Sequence, residues 1–431
     1  MREMKESGVT WVGKIPAAWE MKTIKQLMIE RVEKNKELEV NTILSLSAKD
    51  GVTLYNSENH SGNKPREDLS DYKIVRENDI VVNSMNILSG SVGLSAYTGV
   101  VSPVYYIYYP RDDGNVEYFH YIFQCFEFQR SLRGLGNGIL IKETESGGLN
   151  TIRMRIPSQK LGAQEFPYCS RNEQDRIVAA LEASVKKVDA LIANQETQIE
   201  KLKAYKQSLI TEVVTKGLDP NVPMKDSGVE WIGKIPQSWY VIKNRNIFRN
   251  KTVKGHGDAT VLSVYRDWGV VPKDSRDDNW NVTSLDTDSY KYIEPGDLVI
   301  NKMKAWSGSL SISDYAGIVS PAYYTCTVNY SIVDQRFIHH YLRNKKLVSM
   351  YEMYSAGMRI GQWDLSIDDF LGIEVAIPQS KEEQKLIADY LDKKCDKVDK
   401  LIFIKQQKIE KLNQYKKSLI YEYVTGKKEV M

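Results

Sequence analysis

The chain has 431 residues, with 59 lysines and arginines against 56 aspartates and glutamates, so its formal net charge at pH 7 is only +3. A near-balanced charge excludes the strongly basic character expected of a small DNA-binding module, although it leaves nucleic acid open as a partner. The hydrophobic share of 42% is ample for real cores, and the length suits two or three domains.

Several classes of protein are disfavoured by features that the sequence lacks. It has no run of eighteen apolar residues and no charged-then-apolar leader, so we expect neither a membrane span nor a secretion signal, and a cytoplasmic location. The four cysteines are isolated and have no CxxC spacing, which predicts reduced thiols rather than a zinc site: Cys125, Cys169, Cys326 and Cys395.

The N-terminal segment occurs twice. Residues 4–16 read MKESGVTWVGKIP and are followed by Trp19, while residues 224–236 read MKDSGVEWIGKIP and are followed by Trp239. A match of this length in a sequence of mixed composition indicates an internal duplication. The two halves should therefore share one fold.

A segment of short strands and helices follows each tryptophan, and we expect each to fold as a mixed α and β domain of roughly 150 residues. The corresponding strand-like runs are Glu77–Asn83 and Gly99–Tyr106 in the first half, and Pro295–Asn301 and Gly317–Tyr324 in the second. Helical stretches are predicted at Glu117–Leu132 and Asp334–Tyr354.

The two halves share these strand-like runs but differ in the loops that connect the runs. Residues 49–70 and 265–289 are both polar and loop-like but share almost no sequence. A duplicated frame with unrelated loops is typical of a protein that binds two different short targets, while neutral drift of surface loops is the alternative.

A long helix is the second repeated feature, predicted over about 171–216 and again over 381–425. Each copy opens on a capping box, Ser170 with Glu173 and Ser380 with Glu383. Each closes on a glycine, at 217 and at 426. An unbroken helix over 171–216 would be about 70 Å long.

Narrow apolar stripes on the two long helices favour their association as an antiparallel coiled coil, the alternative being that each helix packs on its own domain. The piece that matches the C-terminal end of the chain is residues 4–19. We therefore expect the two termini to lie near each other, in an approximately two-fold arrangement.

Catalytic motifs are missing from the sequence. There is no GxxxxGK[ST] phosphate loop and no HExxH, and the glycine-rich stretch 134–138 follows a helix rather than a strand, which favours a plain loop. The adjacent His339 and His340 would point about 100° apart on a helix, which disfavours a shared metal. We expect no catalytic residue, metal or cofactor.

Basic, amide and aromatic side chains in the loops are the candidates for contacts with DNA, because lysine and arginine neutralise phosphates and arginine and asparagine read base edges. Taken singly, each is more often a solvated surface residue. The candidate set is Lys49, Tyr55, Lys64, Asn83, Asn86, Arg133, Arg266, Trp268, Lys302, Lys304 and Arg359.

Three features recur in both halves: Ser-Gly-Val-x-Trp-x-Gly-x-Ile-Pro-x-x-Trp, an Ile-Pro before a Glu-Gln, and a long helix ending in Leu-Ile-x-Glu-x-Val-Thr. The Ile-Pro pairs lie at 156–157 and 377–378. This pattern resembles the specificity subunit of type I restriction-modification systems. On this alignment the first half carries an insert, Ser158 to Ser170.

The resemblance implies an α+β fold with two pseudo-two-fold-related target-recognition domains, joined by two long helices in an antiparallel coiled coil. The expected divisions are a first recognition domain at 1–158 with its repeat segment 4–19, a helix at 171–217, a second recognition domain at 218–378 and a helix at 380–427. Each domain would read half of a split, asymmetric DNA target, and the helices would fix the gap between the halves.

The resemblance also implies double-stranded DNA, two methyltransferase subunits and restriction endonuclease subunits as partners, with catalysis confined to those subunits. Helix positions proposed to bind the methyltransferase are Tyr205, Leu209, Tyr415 and Leu419. Two rival hypotheses are a structural coiled-coil adaptor with two protein-binding heads, and a self-contained nuclease or methyltransferase with a novel motif.

Overall fold

A computed structural model describes residues 2–56, 64–138, 142–143, 149–150, 154–266, 268–275, 287–357 and 363–430. These residues form two compact units. Unit 1 comprises residues 1–195 with 407–431, and unit 2 comprises residues 196–406. Each long helix therefore contributes to both units.

Unit 1 is built around a four-stranded antiparallel sheet with the strand order Met28–Glu30, Tyr105–Pro110, Ile80–Asn83, Val92–Leu94. Its two-stranded pairs are Met4–Glu6 with Lys14–Pro16, Glu20–Thr23 with Glu165–Tyr168, Leu44–Ser47 with Gly51–Leu54, Lys73–Val75 with Gly99–Val101, Asn137–Gly138 with Met154–Arg155, and Lys142–Glu143 with Leu149–Asn150. Its shorter helices are Ile24–Leu27, Ile87–Ser89, Val116–Gln124, Phe126–Ser131 and Ser158–Gly162.

Unit 2 has the same plan, with a sheet in the order Phe248–Lys251, Tyr323–Val328, Leu298–Asn301, Leu310–Ile312. Its pairs are Met224–Asp226 with Lys234–Pro236, Trp239–Lys243 with Glu374–Pro378, Leu262–Tyr265 with Gly269–Pro272, Lys291–Ile293 with Gly317–Val319, and Ser355–Ala356 with Asp364–Leu365. Its shorter helices are Asn244–Asn246, Lys273–Ser275, Ala305–Ser307, Gln335–Leu342, Lys345–Tyr354 and Ile367–Gly372.

The sheet of each unit is covered on both faces. In unit 1, Ile80 and Val82 point into a large core with the helices and Trp19, while Val81 alternates to the opposite face and packs with Leu44 and Val52 of a hairpin. In unit 2, Val299 packs in the same way with the hairpin residues Leu262 and Val270. The hairpins thus form a second, smaller layer over the sheet.

The predicted duplication is confirmed by this element order. The predicted helical stretches are each two helices rather than one, because the chain turns to an extended conformation at Cys125 (ψ 123°) and at Asn344 (ψ 149°). Asn344 then caps the next helix by accepting from the backbone N–H of Leu347 at 3.1 Å.

The two long helices were predicted correctly, since they span Arg171–Lys216 and Lys381–Val424. Within unit 2, Gln198 accepts from Lys405, and Lys206, eight residues later, pairs with Asp399 at 2.6 Å. Within unit 1, Lys416 pairs with Asp189 at 2.7 Å. Rising numbers on one helix meet falling numbers on the other, so the pair is antiparallel.

The predicted capping boxes form only in part. The hydroxyl of Ser380 accepts from the backbone N–H of Glu383 at 3.3 Å, which is the serine half of the box. The carboxylates instead accept from tryptophan: Trp19 Nε1 donates to Glu173 at 3.0 Å and Trp239 Nε1 donates to Glu383 at 2.8 Å. The spacing that the two halves share therefore reflects a tertiary contact, which a local rule cannot anticipate.

The predicted insert at Ser158–Ser170 is wrong, because both halves contain a helix and then a strand at this place. Ser158–Gly162 corresponds to Ile367–Gly372, and Glu165–Tyr168 pairs with Glu20–Thr23 as Glu374–Pro378 pairs with Trp239–Lys243. The Ile-Pro at 156–157 is a chance likeness that misled the alignment. In the first half the helix and strand that precede the long helix therefore continue to Tyr168.

The two chain termini meet in unit 1, as expected. Lys427 Nζ donates to the carbonyl of Val12 at 2.6 Å, and Arg2 lies 3.9 Å from Glu429. Gly426, with a φ of +69°, lies against Pro16. The repeat segment at the N-terminus therefore completes the end of the second long helix.

Candidate nucleic-acid interface

A tight turn follows the third strand of each sheet and presents its side chains at the sheet edge. In unit 1 the strand Ile80–Asn83 leads into the short helix Ile87–Ser89, which ends at Gly90 with a φ of +83°. In unit 2 the strand Leu298–Asn301 leads into Ala305–Ser307, which ends at Gly308 with a φ of +87°. Glycine adopts this left-handed conformation without a steric penalty, so both turns have the same shape.

Lys49 and Asn86 of unit 1 are brought to the same edge. Lys49 is exposed in the turn of the hairpin, next to Ala48, and Asn86 is exposed at the start of the short helix. The Cβ of Ala48 lies 4.0 Å from the position that a Cβ at Gly90 would occupy. Lys49 and Asn86 are therefore exposed in two neighbouring turns.

The other candidates of unit 1 are more scattered. Asn83 is buried and accepts from the backbone N–H of Met85 at 3.0 Å, so it shapes the turn from below. Tyr55 lies at the far end of the hairpin strand from Lys49, and Lys64 is exposed further along the chain. Arg133 is half-buried just beyond the helix Phe126–Ser131.

The second hairpin and its neighbouring turn bring together Arg266, Trp268 and Lys304. Arg266 and Trp268 are exposed in the hairpin turn, and 66% of Trp268 is accessible. Ser309 links the hairpin to the turn, because its hydroxyl donates to the carbonyl of Val264 at 3.2 Å and its N–H donates to the carbonyl of Lys304 at 3.2 Å. An arginine, a lysine and an indole thus lie on one edge.

The charge of Lys302 is partly neutralised by an ion pair with Asp364. Its Nζ lies 2.7 Å from Asp364, and this hydrogen bond raises the pKa of Lys302. Lys304 is more available, since its side chain forms no hydrogen bond or ion pair within the described ranges. Arg359, the remaining candidate, lies outside the described residues.

Sequence reasoning missed one cation that recurs in both units. Lys73 Nζ donates to the carbonyl of Tyr105 at 2.7 Å, and Lys291 donates to the carbonyl of Tyr323. Burial lowers the pKa of both lysines. Their common spacing before the paired tyrosines was the signal that could have identified them.

The adjacent histidines have separate environments, as the helical geometry predicted. His340 pairs with Asp392 at 2.7 Å, whereas His339 is half-buried and desolvation lowers its pKa to about 3. Among the described residues no cluster of His, Cys, Asp or Glu could hold a metal ion. Nor does the described part of the chain include a helix long and apolar enough to cross a membrane.

The four proposed partner-binding residues differ in accessibility. Tyr205 and Tyr415 are 51% and 53% exposed on the long helices. Leu209 is half-buried against the core of unit 2, and Leu419 is buried in the core of unit 1. Only the two tyrosines are therefore placed to contact another protein without rearrangement.

A family model provides the first comparison with known proteins. Residues 240–414 match the type I restriction modification DNA specificity domain. This range covers the sheet, hairpin and turn of unit 2 and most of the second long helix. The second half of the chain therefore carries a domain that is similar to the DNA specificity domain of type I restriction-modification systems. The family model does not reach the first half, where the structure repeats the same plan.

Two proteins from Methanocaldococcus jannaschii are similar to part of the chain. The chain is 26% identical over 258 residues to the type I restriction enzyme MjaVIII specificity subunit, covering 56% of this chain and 57% of that protein. It is 25% identical over 243 residues to a protein named as the MjaX specificity subunit, covering 56% and 54%. The chain thus matches only about half the length of each relative.

A solved structure has a similar fold. It is described as the structural basis underlying complex assembly and conformational transition of the type I R-M system. The match has a TM-score of 0.65 at 12% identity and covers 95% of this chain and 98% of that one. The predicted fold class, mixed α and β units with two long antiparallel helices, is confirmed.

Proposed function

We propose that this chain is the DNA-specificity subunit of a type I restriction-modification complex, and that each of its units reads one half of a split, asymmetric target. The observation that carries the proposal is that the two units share the same strands and turns but expose different side chains on those turns. The two corresponding turns, one in the hairpin and one before the short helix, hold Lys49 and Asn86 in unit 1 but Arg266, Trp268 and Lys304 in unit 2. Two different sets of donors at the same place suit two different base sequences.

Recognition would be divided between phosphate and base contacts. Lysines such as Lys49 and Lys304 would neutralise phosphates and set the register of the protein on the duplex. Arg266 and Asn86 have the donor patterns that pair with guanine and adenine edges in the major groove. The indole of Trp268 would supply an apolar contact beside them.

The proposed partners are two methyltransferase subunits and the restriction endonuclease subunits, in which the catalytic chemistry would reside. Tyr205 and Tyr415 are the proposed contacts for the methyltransferase, since both are accessible aromatic residues on the long helices. Aromatic side chains are enriched in protein interfaces. This chain would contribute recognition and assembly, and no catalysis.

DNA binding by the assembled methyltransferase complex tests the proposal. We expect affinity to fall steeply with salt, and Lys49→Ala and Lys304→Ala each to reduce the salt slope by about one unit. Lys203→Ala, on an exposed face of the first long helix where Lys203 pairs with Glu200 at 3.0 Å, is the control. Absence of salt-dependent binding would favour the adaptor hypothesis instead.

A further inference from the structure

A partly buried chain of polar side chains, which we call the relay, contacts the hairpin of unit 2. His339, on the helix Gln335–Leu342, has its Nε2 3.3 Å from Nη1 of Arg343 and its Nδ1 3.4 Å from Oγ of Ser311. Arginine can only donate, so Nε2 must be the acceptor and Nδ1 must carry the proton. Ser311 completes the chain by donating to the carbonyl of Ile312 at 3.0 Å.

His339 has the protonation state that this relay requires. Burial lowers the pKa of His339 to about 3, and the charge of Arg343 adds to this effect. The imidazole is therefore neutral at physiological pH, and its Nε2 lone pair remains available to Arg343.

Both ends of the hairpin turn contact the relay. Nη2 of Arg343 donates to the carbonyl of Arg266, at the start of the turn. Gly269, at its end, lies directly on Ser311, because a Cβ at Gly269 would be 2.7 Å from the serine oxygen. The conformation of this turn is thus tied to side chains of the layer below.

Unit 1 has the same histidine without the relay. His120 and His339 each follow an N-cap residue by five positions, Asn115 and Asp334 respectively. In unit 1, however, glycine 93 stands opposite the helix where unit 2 has Ser311, and Gln124 takes the helix position of Arg343. Within the described residues, Nε2 of His120 is buried and has no hydrogen-bond partner.

We propose that Arg343 is a positioning residue for target recognition, held by His339 so that the hairpin turn presents Arg266 and Trp268 to base edges in the major groove. The inference rests on the proposed function and deepens it, because it assigns half-site specificity of unit 2 to a residue below the DNA-facing surface. Arg343 acts through the turn and need not touch DNA. Preorganised contacts of this kind lose discrimination when their support is removed.

The test is base-resolution mapping of methylated adenines in cells that carry the full chain with a type I methyltransferase subunit. For Arg343→Met we expect the half-site read by unit 2 to lose discrimination by about tenfold or more. The half-site read by unit 1 should be retained, and the thermal unfolding midpoint of the purified chain should change little. A purely structural role would instead lower methylation of the whole motif and the unfolding midpoint together.

Two substitutions of His339 distinguish the effect of its hydrogen bond to Arg343 from the effect of its side-chain volume. His339→Gln keeps an uncharged acceptor for Arg343 and should keep most of the specificity, whereas His339→Phe fills the space without an acceptor and should behave like Arg343→Met. His120→Phe is the matched control in unit 1, and should leave both half-sites unchanged.

The outcomes distinguish this inference from the function on which it rests. A wild-type chain that directs no split motif overturns the proposed function, and this inference with it. A wild-type chain that does direct one, together with an Arg343→Met variant that keeps full discrimination at both halves, overturns the inference alone. Uniform loss across both halves with a lowered unfolding midpoint also overturns it.

Discussion

Trp239 donates its indole N–H to the carboxylate of Glu383 at 2.8 Å. The equivalent residues of unit 1, Trp19 and Glu173, form the same hydrogen bond at 3.0 Å. Each tryptophan is only 1% exposed. The bond joins the repeated segment of each unit to the first turn of the long helix that begins there. The hydrogen bond therefore connects the beginning of each unit's repeat to its long helix.

Removing the acceptor from this bond should destabilise unit 2. Glu383→Met leaves the buried indole N–H of Trp239 unpaired, which costs about 1–3 kcal/mol of unfolding free energy. Glu383→Gln retains a side-chain oxygen and should cost less. Urea unfolding of the two variants measures the difference, and equal losses would show that the acceptor is unimportant.

The glycines that close the long helices should tolerate alanine unequally. Gly426→Ala places a Cβ 2.5 Å from Pro16 and 3.0 Å from the ring of Trp19, whereas Gly217→Ala meets its nearest atoms at 3.7 Å. Both positions have a positive φ, which alone costs about 1–2 kcal/mol. Overlap should add about 1–3 kcal/mol at Gly426.

Thermal or urea unfolding of the two alanine variants is the measurement, and Gly217 is the matched control for backbone strain. A similar loss at both sites would mean that the segment around Pro16 shifts without cost. That result would contradict close contact between the repeat segment and the C-terminal end of the second long helix.

Acid should destabilise unit 1 through His120. Burial lowers the pKa of His120 to about 4 from an ordinary value of 6.5, so the folded state resists a proton that the unfolded state accepts. The stabilisation is fully present above pH 6.5 and is lost as the pH falls towards 4. The slope is up to about 1.4 kcal/mol per pH unit.

Stability measured against pH tests this expectation. His120→Phe should flatten the slope between pH 6.5 and 4, while His256→Phe, at an exposed position, should leave it unchanged. If both variants retained the slope of the parent chain, His120 would have to be protonated within the fold.

Partner docking should depend on the exposed tyrosines. Tyr205→Glu or Tyr415→Glu places a charge on an exposed helix face, and we expect either change to abolish co-purification with the methyltransferase while the unfolding midpoint stays the same. Leu419→Ala is the contrasting variant, because this side chain is in the core and its truncation should cost about 2–5 kcal/mol. Unimpaired co-purification of both glutamate variants would place the docking surface elsewhere.

Repetition explains how much of the fold could be predicted from the sequence. The long helices, the duplicated domains and the meeting of the termini all followed from matches between the two halves, which report tertiary structure indirectly. Glu173 was assigned to a local capping box because a single sequence does not show that Trp19 lies beside it. The Ile-Pro at 156–157 misled the alignment for the same reason, since two residues carry little positional information.

The candidate site was harder to predict than the fold. Loop composition drew attention to Lys49, Asn86, Arg266 and Lys304, which the structure brings to the two edges. Composition could not reveal that Asn83 is buried under its turn, or that Lys302 is paired with Asp364. It also could not identify Arg343, whose position depends on contacts between a helix, a strand and a hairpin.

The most direct test of the account is base-resolution mapping of methylated adenines in cells carrying this chain with the proposed methyltransferase partner, compared with cells lacking only this chain. We predict that one split motif, two short halves around a fixed gap, disappears on deletion. Substituting Lys49 and Asn86 by alanine should then alter one half of that motif, and substituting Arg266 and Lys304 should alter the other. An unchanged methylation pattern on deletion would contradict the account.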